Sequence, residues 1–292
     1  MNQREQPMHN ETVSQYQAVF NEPPRNTPSD TAVDGPLMGN GDMGVALCSH
    51  GKDHHFILCK NDLWRLEHQY QKSCPVPLGR LSLTLYGYSN AEYQVMQELA
   101  TATTTTLLER AGGTVTMTSY VAASQNLLVI QIAATRAPVH ARASVDIANG
   151  RGSEVATGSA DGIFWGTRAF TKGVDLPTAA AAAVTQCEGG CLASDGSFVV
   201  TPEEPVTLVL ALESGFGHEN PLESAKTSLS HLDGVRQEHE AWWAEYWDQS
   251  WVSIDDPVIE KQYYLSLYGM GSCSRDPEFP PNIFGWATTD NP

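Results

Sequence analysis

The sequence predicts a mainly β protein, a large antiparallel sandwich followed by helices. Three observations carry this. Between about residues 44 and 214, short β-rich runs with period-two alternation follow one another. The breaks between them hold Gly, Pro, Asn and Asp, with no amphipathic helix interleaved. After Gly217 the period lengthens to that of a helix and the apolar residues become aromatic.

In chain order, the runs at 44–49, 55–60, 80–86, 114–120, 127–134, 140–147 and 206–212 read as strands. Gly112-Gly113, Pro138, Asn149-Gly150, Asp161-Gly162, Asp195-Gly196 and Pro202 mark turns. The threonine run 103–106 and the alanine run 179–183 read as strand or loop. Residues 221–232 form a short helix and 235–251 a longer one. In the longer helix Trp243, Trp247 and Trp251 stand at i, i+4 and i+8, flanked by Trp242 and Tyr246. Asp255-Asp256-Pro257 supplies a cap and a first-turn proline for another helix, with an apolar face of Ile259, Tyr263, Leu267 and Met270. The domain boundaries expected are an extension at 1–33, a sandwich at 34–217, linker helices at 218–254 and a helical portion at 255–292.

The 292 residues are 41% hydrophobic, ample for a core, and the longest apolar runs have strand length. No transmembrane segment is expected. The start, MNQREQPMHNETVSQYQ, lacks the apolar stretch of a signal peptide, so a cytoplasmic location is the default expectation. A net charge of −17, from 34 acidic and 17 basic residues, argues against a nucleic-acid partner, because phosphate contacts need clustered Lys and Arg. It suits a neutral substrate such as a sugar. The six scattered cysteines read as free thiols.

Gly39-Asn-Gly41-Asp-Met-Gly44 matches the G-x-G-x-x-G pattern of dinucleotide sites. That pattern works only between a strand and a helix, and here a strand follows. The glycines are better explained as a tight turn, and no cofactor is expected. His50, His54 and His55 read as a surface turn rather than a metal site, and His239 as a partly exposed helix residue. Seven tryptophans and many acids suit sugar chemistry, in which aromatic faces stack on pyranose rings and carboxyl pairs move protons. No acidic pair is singled out by spacing.

DGPLMGNGDMGVAL (34–47), FILCKNDLWR (56–65) and PLGRLSLTL (77–85) resemble the start of glycoside hydrolase family 95 and its relatives. HEAWWAEYWDQSWVSIDD (239–256) and IEKQYYLSLYGMGSCSRD (259–276) look like that family's linker helix and first barrel helix. The resemblance implies a super-β-sandwich followed by the opening of an incomplete (α/α)6 barrel. It also implies an inverting O-glycosyl hydrolase of α-L-fucosidase or galactosidase type, with a carbohydrate substrate. In that family a segment like FGWATTDNP (284–292) leads into the catalytic pocket. The catalytic residues are therefore expected beyond Pro292, none lies in 1–292, and this chain alone is expected to be inactive. Within the chain, Trp286, Asp290 and Asn291 are the candidates for substrate contact. The alternative is a free-standing carbohydrate-binding or scaffold sandwich. Residues 273–292 are expected to lack partners, and the aromatic helices to leave a bare apolar patch prone to self-association.

Overall fold

The computed structural model describes residues 12–68, 73–217, 219–277, 279–280 and 285–290. Seventeen strands among them form two large antiparallel sheets and a small one. The nine-stranded sheet runs in the order β1 (Gln17–Phe20), β8 (Glu92–Glu98), β9 (Thr103–Arg110), β10 (Gly113–Val121), β11 (Leu127–Ala134), β17 (Val206–Phe216), β15 (Thr178–Glu188), β14 (Ile163–Phe170) and β13 (Glu154–Ala160). The six-stranded sheet runs β16 (Ser197–Val200), β12 (Val139–Ile147), β7 (Gly79–Leu85), β4 (Asp53–Lys60), β3 (Met43–His50) and β2 (Leu37–Gly39). β5 (Trp64–Arg65) pairs with β6 (Cys74–Pro75).

Period-two alternation places one set of side chains between the large sheets. In β10, Val115 and Met117 point inward while Thr114, Thr116 and Thr118 face out. Val45, Leu47, Phe56, Leu58, Leu81 and Leu83 meet them from the opposite sheet. The threonine run becomes β9 and the alanine run becomes β15. Ala180 and Ala182 face the central core, and Ala183 faces Ala225 on helix α1 (Pro221–Ser228). Small side chains at these positions let a helix lie close on a strand buried on both faces.

Two further helices, α2 (Val235–Gln249) and α3 (Pro257–Cys273), close one end of the sandwich. Asp256 caps α3 through the Val258 and Ile259 amides at 2.9 and 3.3 Å, with Pro257 in the first turn. The aromatic face is largely covered, contrary to the bare patch expected. Trp243 and Trp247 pack with Tyr264 and Tyr268 beneath Val13, Leu99, Ala102 and Ala123. Trp251 lies past the helix end and is exposed.

The buried face of α3 is also rotated from the expected one by one residue, about 100°. Tyr264, Tyr268 and Glu260 turn inward, and Ile259 and Met270 turn out. Hydrogen bonds decide this. The Tyr268 hydroxyl donates to Leu37 O at 2.8 Å, Tyr264 to Val252 O at 2.8 Å, and Tyr16 to Glu260 at 2.7 Å. An aliphatic side chain at 264 would take this donor from Val252 O, and one at 268 would leave Leu37 O with only the Gln97 amide, 2.7 Å away.

Two histidine expectations are corrected. His54 is fully buried on β4 with Nδ1 2.9 Å from Ser49 Oγ, and burial lowers it to about 4. His239 is also fully buried, with Nε2 2.9 Å from Thr101 O and its ring against Tyr120, and burial lowers it to about 4.

Candidate functional site

The 39–44 turn joins β2 to β3, with Gly39 opposite Gly44. Asn40 organises it. Its Oδ1 accepts the Asp42 and Met43 amides at 3.1 and 2.8 Å, closing the turn by a side chain. Its Nδ2 reaches Ala122 O, Gln125 O and Asn126 Oδ1 at 3.1, 2.9 and 3.1 Å, binding the turn to the 122–126 loop.

Each glycine of the motif faces the chain's own C-terminal segment. A Cβ on Gly39 would lie 2.3 Å from Ser272 O, one on Gly41 2.4 Å from Arg275 Cβ, and one on Gly44 2.7 Å from the Trp286 ring. Gly41 also has φ +87°, a conformation that favours glycine. The close backbone approach of this motif thus serves a protein segment, which occupies the space a pyrophosphate would need.

Behind the turn, Lys60 is 4% exposed and its ammonium lies 2.6 Å from Asp42 and 3.3 Å from Asp62. Asn126 donates to the other oxygen of Asp42 at 2.9 Å, and Ser214 donates to Asp62. Asn61 donates to Gly41 O, and Trp64 Nε1 donates to Asn61 O at 2.7 Å. Arg275 closes the set. Its guanidinium stacks 3.4 Å from the centre of the Trp242 ring and donates to Ala123 O at 2.8 Å, while burial lowers it to about 9.

On the outer side of this network lies a polar cleft of about 370 Å³, lined by Asn40, Asp42, Asn126, Glu213 and Ser228 among others. That volume falls within the range of small-molecule sites. Glu213 accepts a hydrogen bond from Ser228 at 3.0 Å. Asp42 and Asp62 are both engaged by Lys60, which braces the wall in place. Among the described residues no group of three or more His, Cys, Asp or Glu could hold a metal.

Of the candidates from sequence, the two described ones, Trp286 and Asp290, do not line this cleft. Trp286 is buried on the outer face of the six-stranded sheet with Ala46, Cys48, Ile57 and Cys59, and its Nε1 donates to Met38 O at 3.0 Å. Asp290 receives both amino groups of the fully buried Arg168 at 2.8 Å each. Thr288 exchanges hydrogen bonds with the Ser29 backbone at 2.7 and 2.9 Å. These positions of the 273–292 segment have partners, contrary to expectation. Asn291 lies outside the described residues. Asn126, Glu213 and Ser228 carry no local sequence signal, because only the tertiary fold brings them to the turn.

No curated protein matches the chain. A solved structure described as a kojibiose phosphorylase from human microbiome superposes with a TM-score of 0.49 at 11% identity, over 88% of this chain and 39% of that one. A bacterial glucoamylase complexed with acarbose gives 0.41 at 10% identity, over 88% and 44%. A family GH92 α-mannosidase from Bacteroides thetaiotaomicron gives 0.32 at 10% identity, over 82% and 38%. The chain thus spans about two fifths of the length of these proteins. The sequence profile of the glycosyl hydrolase family 65 N-terminal domain matches residues 65–219, more than half of the chain. The chain belongs to that family.

Proposed function

We propose that this chain is the sandwich and linker portion of an inverting glycoside hydrolase, with fucosides or galactosides as substrates, following its likeness to family 95. In that reading the proton-transfer carboxyls are supplied from outside residues 1–292. Inversion needs them about 6.5–9.5 Å apart with a water between. The role of this chain is to present a rigid polar wall to the substrate.

The observation that supports the reading is the convergence of the 39–44 turn and the 122–126 loop on one polar cleft, braced from behind by Lys60 and Asp62, with every ammonium and carboxylate of the network already engaged. Such a wall can orient hydroxyls by Asn126, Glu213 and Ser228 without consuming protons. A panel of aryl α- and β-glycosides tests it. The 292-residue chain should turn over none of them, and turnover abolished by Asp42→Asn, Asp62→Asn or Glu213→Gln would defeat the proposal. In this reading the exposed side of α3, with Val258, Ile259 and Met270, is a surface for self-association.

A further inference from the structure

A second cleft, of about 490 Å³, lies on the outer face of the nine-stranded sheet, under the segment that leads into α2. Its floor is two neighbouring cross-strand rows. One is polar. Thr118 on β10 stands opposite Gln131 on β11, Gln131 opposite Thr207 on β17, and Thr207 opposite Glu188 on β15. At the usual strand spacing this ladder is about 14 Å long. The adjacent row is apolar, with Tyr120 opposite Val129 and Val129 opposite Val209.

The last rung depends on an irregularity in β15. The register shifts between Gln186 and Glu188, so Cys187 is an extra residue and both it and Glu188 line the cleft. Regular alternation would turn Glu188 toward the other face. The Gln186 amide holds the bulge by donating to Glu188 O and Gly189 O at 3.2 and 2.6 Å. Thr207 then donates to Glu188 Oε2 at 2.6 Å and fixes its carboxylate. On the roof, the Arg236 guanidinium sits 5.2 Å from the centre of the Tyr120 ring. Among the described residues, no side-chain hydrogen bond within the protein engages the Gln131 amide or the Thr118 hydroxyl.

We propose that this cleft binds a short neutral oligosaccharide. The chemistry matches on both sides. A sugar chain has apolar C–H faces for Tyr120, Val129 and Val209, and an edge of hydroxyls for the polar ladder. Hydroxyls both donate and accept. They suit a row that offers an amide, a hydroxyl and a carboxylate, and planar groups such as Gln131 and Glu188 can span adjacent hydroxyls. A carboxylate in the row disfavours an anionic ligand. The cleft lies on a different surface from the polar wall at 39–44, and binding in it requires no hydrolysis.

Calorimetry on the full chain with maltotriose, cellotriose and xylotriose tests the proposal, with trigalacturonate and inorganic phosphate as charged comparisons. At least one neutral trisaccharide should bind. Gln131→Ala and Glu188→Gln should each weaken it about tenfold or more, the loss of a hydrogen bond to a desolvated polar group. Both variants should keep the parent melting temperature, and Val199→Ala, at an exposed position on β16 of the other sheet, should bind as the parent does. Absence of neutral binding, preference for phosphate or trigalacturonate, or equal affinity in the Gln131 and Glu188 variants would overturn it. Glycosidase activity in an enzyme containing this chain, without cleft binding, would overturn this inference alone.

Discussion

Replacing Lys60 with methionine removes one ammonium from between two carboxylates while keeping most of the side-chain volume. Lys60 is 4% exposed, Asp62 17% and Asp42 33%. Removing one partner of a fully buried ion pair costs about 3–5 kcal/mol, because the remaining charge is left uncompensated. Asp42 keeps water on one side and Asn126 on the other, which reduces the loss to about 3 kcal/mol. For a chain of this size that lowers the melting midpoint by about 5 °C. Differential scanning calorimetry reads it directly. Adding Asp62→Asn to Lys60→Met should recover part of the loss, giving a coupling energy of about 1 kcal/mol or more in a double-mutant cycle. A drop below about 1 kcal/mol, the range of a solvent-exposed pair, together with no coupling, would refute the account of a buried organising cation.

Two other predictions concern the histidines and the helical surface. His54 and His239 titrate near 4 in the folded chain against an ordinary value of 6.5, so the unfolded chain takes up their protons first as pH falls. Their contribution to stability is complete above pH 6.5 and is lost between 6.5 and 4, by up to about 1.4 kcal/mol per pH unit each. Urea midpoints from pH 7 to 5 should fall less steeply in His54→Gln and His239→Gln, and slopes equal to the parent's would contradict this. Light scattering at rising concentration should show association of the parent chain, reduced by Ile259→Glu with Met270→Glu; a parent monomeric throughout would argue against the α3 surface.

Much of the sandwich was legible because a strand with one face in the core writes its burial as alternation. β11 reads in sequence with the bounds it has in the fold. β15 did not read so clearly, because a strand buried on both faces by alanines has no alternation to show. The apolar pattern of α3 points one residue away from its buried face, because tyrosine counts as apolar in a pattern. What fixed the rotation was hydroxyl hydrogen bonds to Leu37 and Val252, one of them 231 residues distant in sequence. The candidate site was half legible. The glycine motif reads as a tight turn, whereas the close approach it makes is to Ser272, Arg275 and Trp286, more than 200 residues away. Asp290 stands out only through the resemblance of the 284–292 segment, whereas its partner Arg168 sits within β14 with nothing in the local sequence to mark it.

The glycines of the 39–44 turn make a seat for the chain's own C-terminal segment. Indole hydrogen exchange by NMR, with tryptophan labelled by nitrogen-15, tests it most directly, since exposed Trp251 provides an internal reference. The buried Trp286 N–H, bonded to Met38 O, should exchange much more slowly than that of Trp251. In Gly44→Ala, where the new methyl meets the indole at 2.7 Å, Trp286 should exchange as fast as Trp251. Fast exchange of Trp286 in the parent chain, or undiminished protection in Gly44→Ala, would contradict the account.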